Sequence, residues 1–159
     1  MSHDARIVAN NILLNAQASG SPITPMQLQK VVYFAHGWSL GTGLGPLTST
    51  PFFAWEYGPV NREIYQAFRH YGALPIERPA PLSTTAKLLL EIDETHASLI
   101  AEIYDTYGHL SASQLVHLTH ANGTPWHEVW RDGAGRNELI SDELTKAHFA
   151  QLAEQQAVA

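Results

Sequence analysis

The feature that most constrains the fold is a helical segment, from Pro25 to about Leu40, that is apolar on nearly every side. Thr24 precedes it, and a hydroxyl at the N-cap followed by proline at the first helical position is a strong helix start. A helix without a broad polar face has to be enclosed by other elements. The sequence therefore predicts a fold built around this helix, whose apolar residues are Leu28, Val31, Val32, Tyr33, Phe34, Ala35 and Trp38.

Other periodic segments predict further helices around the central one. Apolar residues three and four positions apart favour helices over residues 4–18, 59–71, 94–107, 111–120, 125–130 and 141–154. Residues 47–55 are predicted to be extended, and 75–81, with three prolines, to form a surface loop. Residues 84–92 fit either a helical turn or a short buried strand. We expect a mainly α fold: one compact domain over 1–159, with six or seven helices and a small β-hairpin or short strands around residues 47–56.

Composition narrows the class of protein. With 159 residues, 45% of them hydrophobic and 15% charged, the chain is typical of a globular domain. The absence of cysteine excludes disulfides, thiolate metal sites and a cysteine nucleophile. No apolar run approaches the ~18 residues that span a bilayer, so we expect a soluble cytoplasmic protein that does not bind membranes. A net charge of −6 disfavours nucleic acid as a partner.

Catalytic and metal-binding patterns are weak. His117 and His120 lie three apart on one predicted helix, and His127 follows seven residues later, but no carboxylate or cysteine completes a zinc set. The Gly41-x-Gly-x-Gly45 run follows a helix instead of a strand and lacks a Lys-Ser/Thr pair, unlike phosphate loops. No Gly-x-Ser-x-Gly motif is present. We predict no metal, no cofactor and no catalytic residue; an enzyme with an uncharacterised pocket lined by these histidines stays an alternative.

An aromatic segment over 52–72 is the best candidate for a binding surface. It contains a break at Gly58-Pro59, which we expect to set a fixed angle between a strand and the helix that follows. Exposed Trp and Tyr residues often anchor protein partners, although the same residue types also fill cores. The predicted partner-binding residues are Trp55, Tyr57 and Pro59 at the corner, and Arg62, Tyr65 and Arg69 on the exposed side of the helix.

Three blocks of sequence, in order, resemble the Panacea domain family, whose members are SocA-like antitoxins and phage-associated proteins. The first is Thr24-Pro-Met-Gln-Leu-Gln-Lys-Val-Val-Tyr-Phe-Ala-His-Gly-Trp38. The second is Ala54-Trp-Glu-Tyr-Gly-Pro-Val60, followed by Ile64-Tyr65 and His70-Tyr-Gly72. The third is Tyr107-Gly-His-Leu-Ser-Ala-Ser-Gln-Leu115, with Leu118-Thr-His120 and Pro125-Trp126. The resemblance is strongest over residues 24–131.

The resemblance implies a helical antitoxin, often carried by prophages, that neutralises a cognate toxin by direct protein–protein binding. The partner is then a toxin encoded by an adjacent gene. One branch of the family also delivers its toxin to an AAA+ protease, so a proteolytic adaptor or phage-associated interaction module is the alternative. No active site carries over from the family. Because the chain is acidic, we further expect its surface to complement a basic toxin.

Overall fold

The computed structural model describes residues 2–82 and 92–158. Within these residues the chain forms seven α-helices and a small three-stranded antiparallel sheet, which confirms the mainly α prediction. Residues 84–91, most of the segment predicted as either helix or strand, lie outside the described part. None of the described helices has the length and apolar character needed to cross a membrane.

All of these helices except α3 begin close to the predicted positions. They are α1 (Ala5–Ser19), α2 (Pro25–Gly41), α3 (Arg62–Phe68), α4 (Glu94–Tyr107), α5 (Ala112–His120), α6 (Pro125–Trp130) and α7 (Asp142–Val158). Short 3-10 turns, Arg69–Tyr71 and Arg131–Gly133, follow α3 and α6. The strands are β1 (Phe52–Trp55), β2 (Gly58–Asn61) and β3 (Leu139–Ile140), in the order β2-β1-β3.

Helix α2 lies at the centre, as its sequence predicts. Every residue from Leu28 to Leu40 is buried, and the helix contacts α1, α3, α4, α5, α7 and β2. Its start is fixed by Pro25 and by a capping box, in which Thr24 and Gln27 each bond the other's backbone N–H. A Cβ at Gly37 would overlap the ring of Phe149, so this glycine lets α7 pack directly on α2.

The third helix starts later than predicted. Residues 58–61 form a strand instead of the first turn of a helix, and the hairpin spans 52–61 instead of lying around 47–56. Asn61 ends this strand and caps α3, because its Oδ1 accepts hydrogen bonds from the amides of Glu63 and Ile64. The chain turns at Glu56 and Tyr57. The expectation that Gly58-Pro59 forms the strand-to-helix corner is therefore wrong: both residues are buried within β2.

The third strand was not predicted. Leu139 pairs with Phe53, and Ile140 pairs with Phe52, at the open edge of β1. The preceding loop is also attached to β1, because Asn137 N donates to Ala54 O at 2.7 Å. A segment that is distant in sequence thus comes to lie beside the hairpin.

Candidate partner-binding groove

An open groove of about 800 Å³ lies between the hairpin, α3 and the first turns of α2. Five of the six predicted partner-binding residues line it: Trp55, Tyr57, Arg62, Tyr65 and Arg69. The sixth, Pro59, is buried in β2 and does not line the groove. The structure therefore gathers residues from a strand, a turn and a helix into one surface, which we call the groove.

One wall of the groove is held by a small hydrogen-bond network. Asn137 Oδ1 accepts from Trp55 Nε1 at 3.1 Å and from Arg62 Nη2 at 2.7 Å. The Trp55 ring meets Tyr65 edge-on, with 4.8 Å between ring centroids. The Arg62 guanidinium also lies 3.6 Å from the centre of the Phe53 ring, within cation–π range. These contacts fix the orientation of the wall before any partner arrives.

Asn137 was missed by sequence reasoning. It has a left-handed backbone conformation, with φ of +64°, which asparagine tolerates better than most residues. Its sequence neighbourhood, Gly135-Arg-Asn137, signals only a loop. Nothing local links it to Trp55, because that link depends on the pairing of β3 with β1.

The structure separates exposed aromatics from core aromatics, which the sequence alone did not do. Trp38 and Phe68 are buried in the core. Tyr57 is 59% exposed and Tyr65 is 39% exposed, and both line the groove with Met26, which is 37% exposed. Such side chains offer a protein partner large contact areas.

The inner end of the groove is occupied by Lys30, another residue that sequence reasoning missed. Its side chain is only 2% exposed, although it lines the groove. Burial lowers the pKa of Lys30 to about 8, so the ammonium is still mainly charged at neutral pH. Among residues 2–82 and 92–158, no carboxylate lies within ion-pair distance of its Nζ. In the sequence, the sign of this residue's importance is that a lysine stands among the apolar residues of a predicted helix.

The backbone around Lys30 leaves room for its side chain. Gly58 adopts φ of +124°, and a Cβ there would lie 3.2 Å from Lys30 Cε and 3.0 Å from Thr119 Oγ1. His120 lies nearby with its Nε2 buried and without a hydrogen-bond partner in the described residues. Burial, reinforced by the charge of Lys30, lowers the pKa of His120 and favours its neutral form.

The groove is basic, although the protein is acidic. Four of the nine Lys and Arg residues line it, namely Lys30, Arg62, Arg69 and Arg136. Of the fifteen acidic residues, Glu56 is the one found among the described lining residues. The expectation that an acidic surface meets a basic toxin therefore does not apply to this groove.

The histidine cluster considered as an alternative is not assembled in the described residues. His117 and His127 are exposed, whereas His120 stacks on Trp126 with ring centroids 3.7 Å apart. In the described residues these three histidines do not reach the mutual spacing of metal ligands. His117 and His127 are explained by their exposed positions on helices, and His120 by its stacking on Trp126.

A different set of side chains, His3, Asp93 and His96, has the mutual spacing of metal ligands. His3 Nε2 lies 3.2 Å from Asp93 Oδ1 and 3.1 Å from His96 Nδ1, and the last two atoms are 2.7 Å apart. These donor atoms would suit a divalent cation. The same distances are hydrogen bonds that join the N-terminal segment to α4, and Asp93 also caps α4 through the His96 amide. The cluster therefore has a structural explanation without an ion.

Comparisons with known proteins place the chain in a family. The family profile described as antitoxin SocA-like, Panacea domain, matches residues 28–127, which contain most of α2, the hairpin and α3 to α5. The chain belongs to this family of SocA-like antitoxins, which confirms the resemblance found in the sequence. It is similar to the antitoxin SocA of Caulobacter vibrioides (strain NA1000 / CB15N), with 38% identity over 157 residues, covering 93% of this chain and 83% of the relative. No solved structure matches it significantly.

Proposed function

We propose that this protein neutralises a cognate toxin by binding it directly, with the groove as the main contact surface. The antitoxin role rests on family membership and on the similarity to antitoxin SocA. The partner is a toxin protein encoded by an adjacent gene. The observation that carries the choice of surface is that Trp55, Tyr57, Arg62, Tyr65 and Arg69 line one open groove.

The form of the groove supports binding by contact. The Asn137 network holds Trp55 and Arg62 in place, so little side-chain entropy is lost when a partner docks. Tyr57 and Tyr65 supply exposed aromatic anchors in the same groove. A standard interface buries about 800 Å² on each partner, with a few such anchors carrying most of the affinity.

The proposal includes no bond-making by this protein. The groove presents guanidinium groups, an ammonium, aromatic rings and amides. Within its described lining residues there is no serine, cysteine or histidine beside a carboxylate to act as a nucleophile and base. We therefore assign it to recognition, by shape and charge.

The test is co-expression with the product of the adjacent gene. That product should stop growth alone, and this protein should restore growth and co-purify with it. The double variant Tyr57→Ala/Tyr65→Ala should fail to restore growth, whereas Leu14→Ala, which removes an equally exposed apolar side chain on α1, should restore it. An adjacent product that is harmless alone, or equally toxic with this protein present, would refute the antitoxin proposal.

The same experiment separates direct neutralisation from delivery to an AAA+ protease. Direct binding protects cells without shortening the lifetime of the toxin. An adaptor lowers the toxin level, and its protection disappears in cells that lack the protease. Measuring toxin half-life with and without this protein decides between the two.

A further inference from the structure

The cations of the groove differ from Arg6 and Arg131, which lie outside it. Arg6 pairs with Asp4 at 2.7 Å, and Arg131 pairs with Glu138 at 2.9 Å. In the groove, Arg62 instead bonds the neutral amide of Asn137, and Arg136 lies over the Trp130 ring at 5.0 Å. For Arg69, no ion pair is formed with any described residue. Two of the three arginines outside the groove thus pair with a carboxylate, Arg78 being the exception, whereas none of the three inside it pairs with a carboxylate of the described residues.

Lys30 makes this shortage of carboxylates costly. A charge that is removed from water without a counter-ion destabilises the fold, and such groups normally acquire a partner. Replacing Lys30 by an apolar residue of similar length would remove this cost from a position on an otherwise apolar helix. Instead, Gly58 leaves space beside the lysine and the groove opens onto it.

We infer that the groove receives an acidic segment of the toxin, and that one carboxylate of this segment reaches the inner end and pairs with Lys30. The inference rests on the proposed function, since it takes the toxin as the partner. Arg62, Arg69 and Arg136 then face further acidic side chains of the same segment. Tyr57, Tyr65 and Met26 contact its apolar residues.

A peptide segment fits better than a nucleic acid. Apart from Glu56, the acidic residues of the chain lie outside the described lining of the groove, and a long phosphate backbone would be repelled as it ran past them. The attraction is local, which suits a short acidic stretch. The groove also has a mainly apolar lining, as expected for a surface that binds side chains.

The pairing predicts a pH signature. A carboxylate beside Lys30 favours the charged form of the lysine. In the complex Lys30 therefore keeps its proton at pH values where Lys30 of the free protein, with a pKa of about 8, loses it. Affinity should therefore fall as pH rises from about 7 to about 9.5. Of the other titratable groups near Lys30, His120 stays neutral in this range, since its pKa is lowered. The other titratable groups that line the groove are Glu56, Tyr57, Arg62, Arg69 and Arg136.

The experiment measures binding of the purified adjacent-gene toxin to the full chain by calorimetry. Lys30→Met should weaken binding about tenfold or more and abolish the pH dependence, because the anchoring charge is lost. Lys146→Met, at an exposed lysine of α7, should leave both unchanged. Arg69→Glu should weaken binding, and a matching acidic-to-arginine change in the toxin should restore it. Circular dichroism of each variant establishes that it is folded.

The outcomes separate this inference from the proposed function. If Lys30→Met binds the toxin with unchanged affinity and pH dependence while Tyr57→Ala/Tyr65→Ala weakens it, the acidic anchor is overturned and the groove remains the toxin site. If no groove variant affects a toxin that still binds, both the anchor and the groove assignment are overturned. Displacement of the toxin by a single-stranded DNA oligonucleotide that itself binds the groove would also overturn the acidic peptide, in favour of phosphate.

Discussion

Two buried polar residues on helix α2, Lys30 and His36, show how the same burial serves different purposes. Each is 2% exposed. His36 Nε2 donates to Asp142 Oδ1 at 2.8 Å, and its Nδ1 accepts from the amides of Leu47 and Thr48 at 3.2 Å. Lys30 has no such partner among the described residues. A buried polar group that the fold pairs is structural, whereas a buried charge beside an open groove, with no counter-ion among the described residues, is free to pair with the charge of a partner.

The largest expected effect is the loss of stability when His36 is replaced. His36→Leu should lower the free energy of unfolding by about 2–4 kcal/mol, because two buried amides lose their acceptor and α7 loses a contact. The melting temperature should fall by about 5–15 °C in a thermal scan. An unchanged or higher melting temperature would show that His36 does not stabilise the fold. The two buried residues would then not differ in the way described above.

Replacing Lys30 should change the free energy of unfolding in the opposite direction. Lys30→Met should raise the free energy of unfolding at neutral pH by up to about 3 kcal/mol, because an unpaired buried charge is removed. In the unfolded chain this lysine keeps its proton to about pH 10.5, while in the folded chain it loses it near pH 8. The unfolded state therefore binds more protons in this window, and wild-type stability rises with pH.

The advantage of Lys30→Met should consequently shrink between about pH 8 and about pH 10.5. Urea unfolding of both proteins across this range measures the difference, and taking the difference cancels the titration of other groups. A gap that stays constant with pH would show that Lys30 is not held in a low-polarity site.

A smaller effect is expected in the wall of the groove. Asn137→Gly keeps the left-handed backbone accessible but removes the acceptor for Trp55 and Arg62. Stability should fall by about 1 kcal/mol. Toxin affinity should fall several-fold, because the wall loses its fixed orientation. If calorimetry gives the wild type and Asn137→Gly the same toxin affinity, the fixed orientation of Trp55 and Arg62 does not contribute to binding.

The smallest effects on stability should come from arginine substitutions. Arg6→Gln and Arg69→Gln should each change the free energy of unfolding by less than about 1 kcal/mol, since both side chains reach the surface. They should differ in toxin binding, because Arg6 already has Asp4 as its partner while Arg69 faces the groove. Equal losses of affinity would remove the distinction between paired and unpaired cations.

Most helices were predictable because their signals are local. The caps at Thr24 and Ser111 and the apolar spacing of α2 and α4 are contained within single segments. The start of α3 was misplaced, because residues 58–61 pair with β1 and this pairing overrides the spacing of Val60 and Ile64. Local periodicity has no means of registering such a contact.

The groove was only partly predictable, for the same reason. Trp55, Tyr57, Arg62, Tyr65 and Arg69 are close in sequence, so one segment revealed them. Lys30, Arg136 and Asn137 come from distant segments. Their position depends on long-range contacts, such as the two hydrogen bonds at 2.9 and 3.0 Å that join the Gln29 side chain to the Asn61 backbone.

The tyrosines at the mouth of the groove stand apart from the packed interior. Tyr57 and Tyr65 can be exchanged for other residues with little penalty to folding, because neither helps to fill the core. If the groove binds the toxin as proposed, selection can then alter which toxin is recognised one surface position at a time, while α2 and its capping residues are retained. In an evolutionary contest between toxin and antitoxin, such a division allows recognition to change faster than the scaffold that supports it.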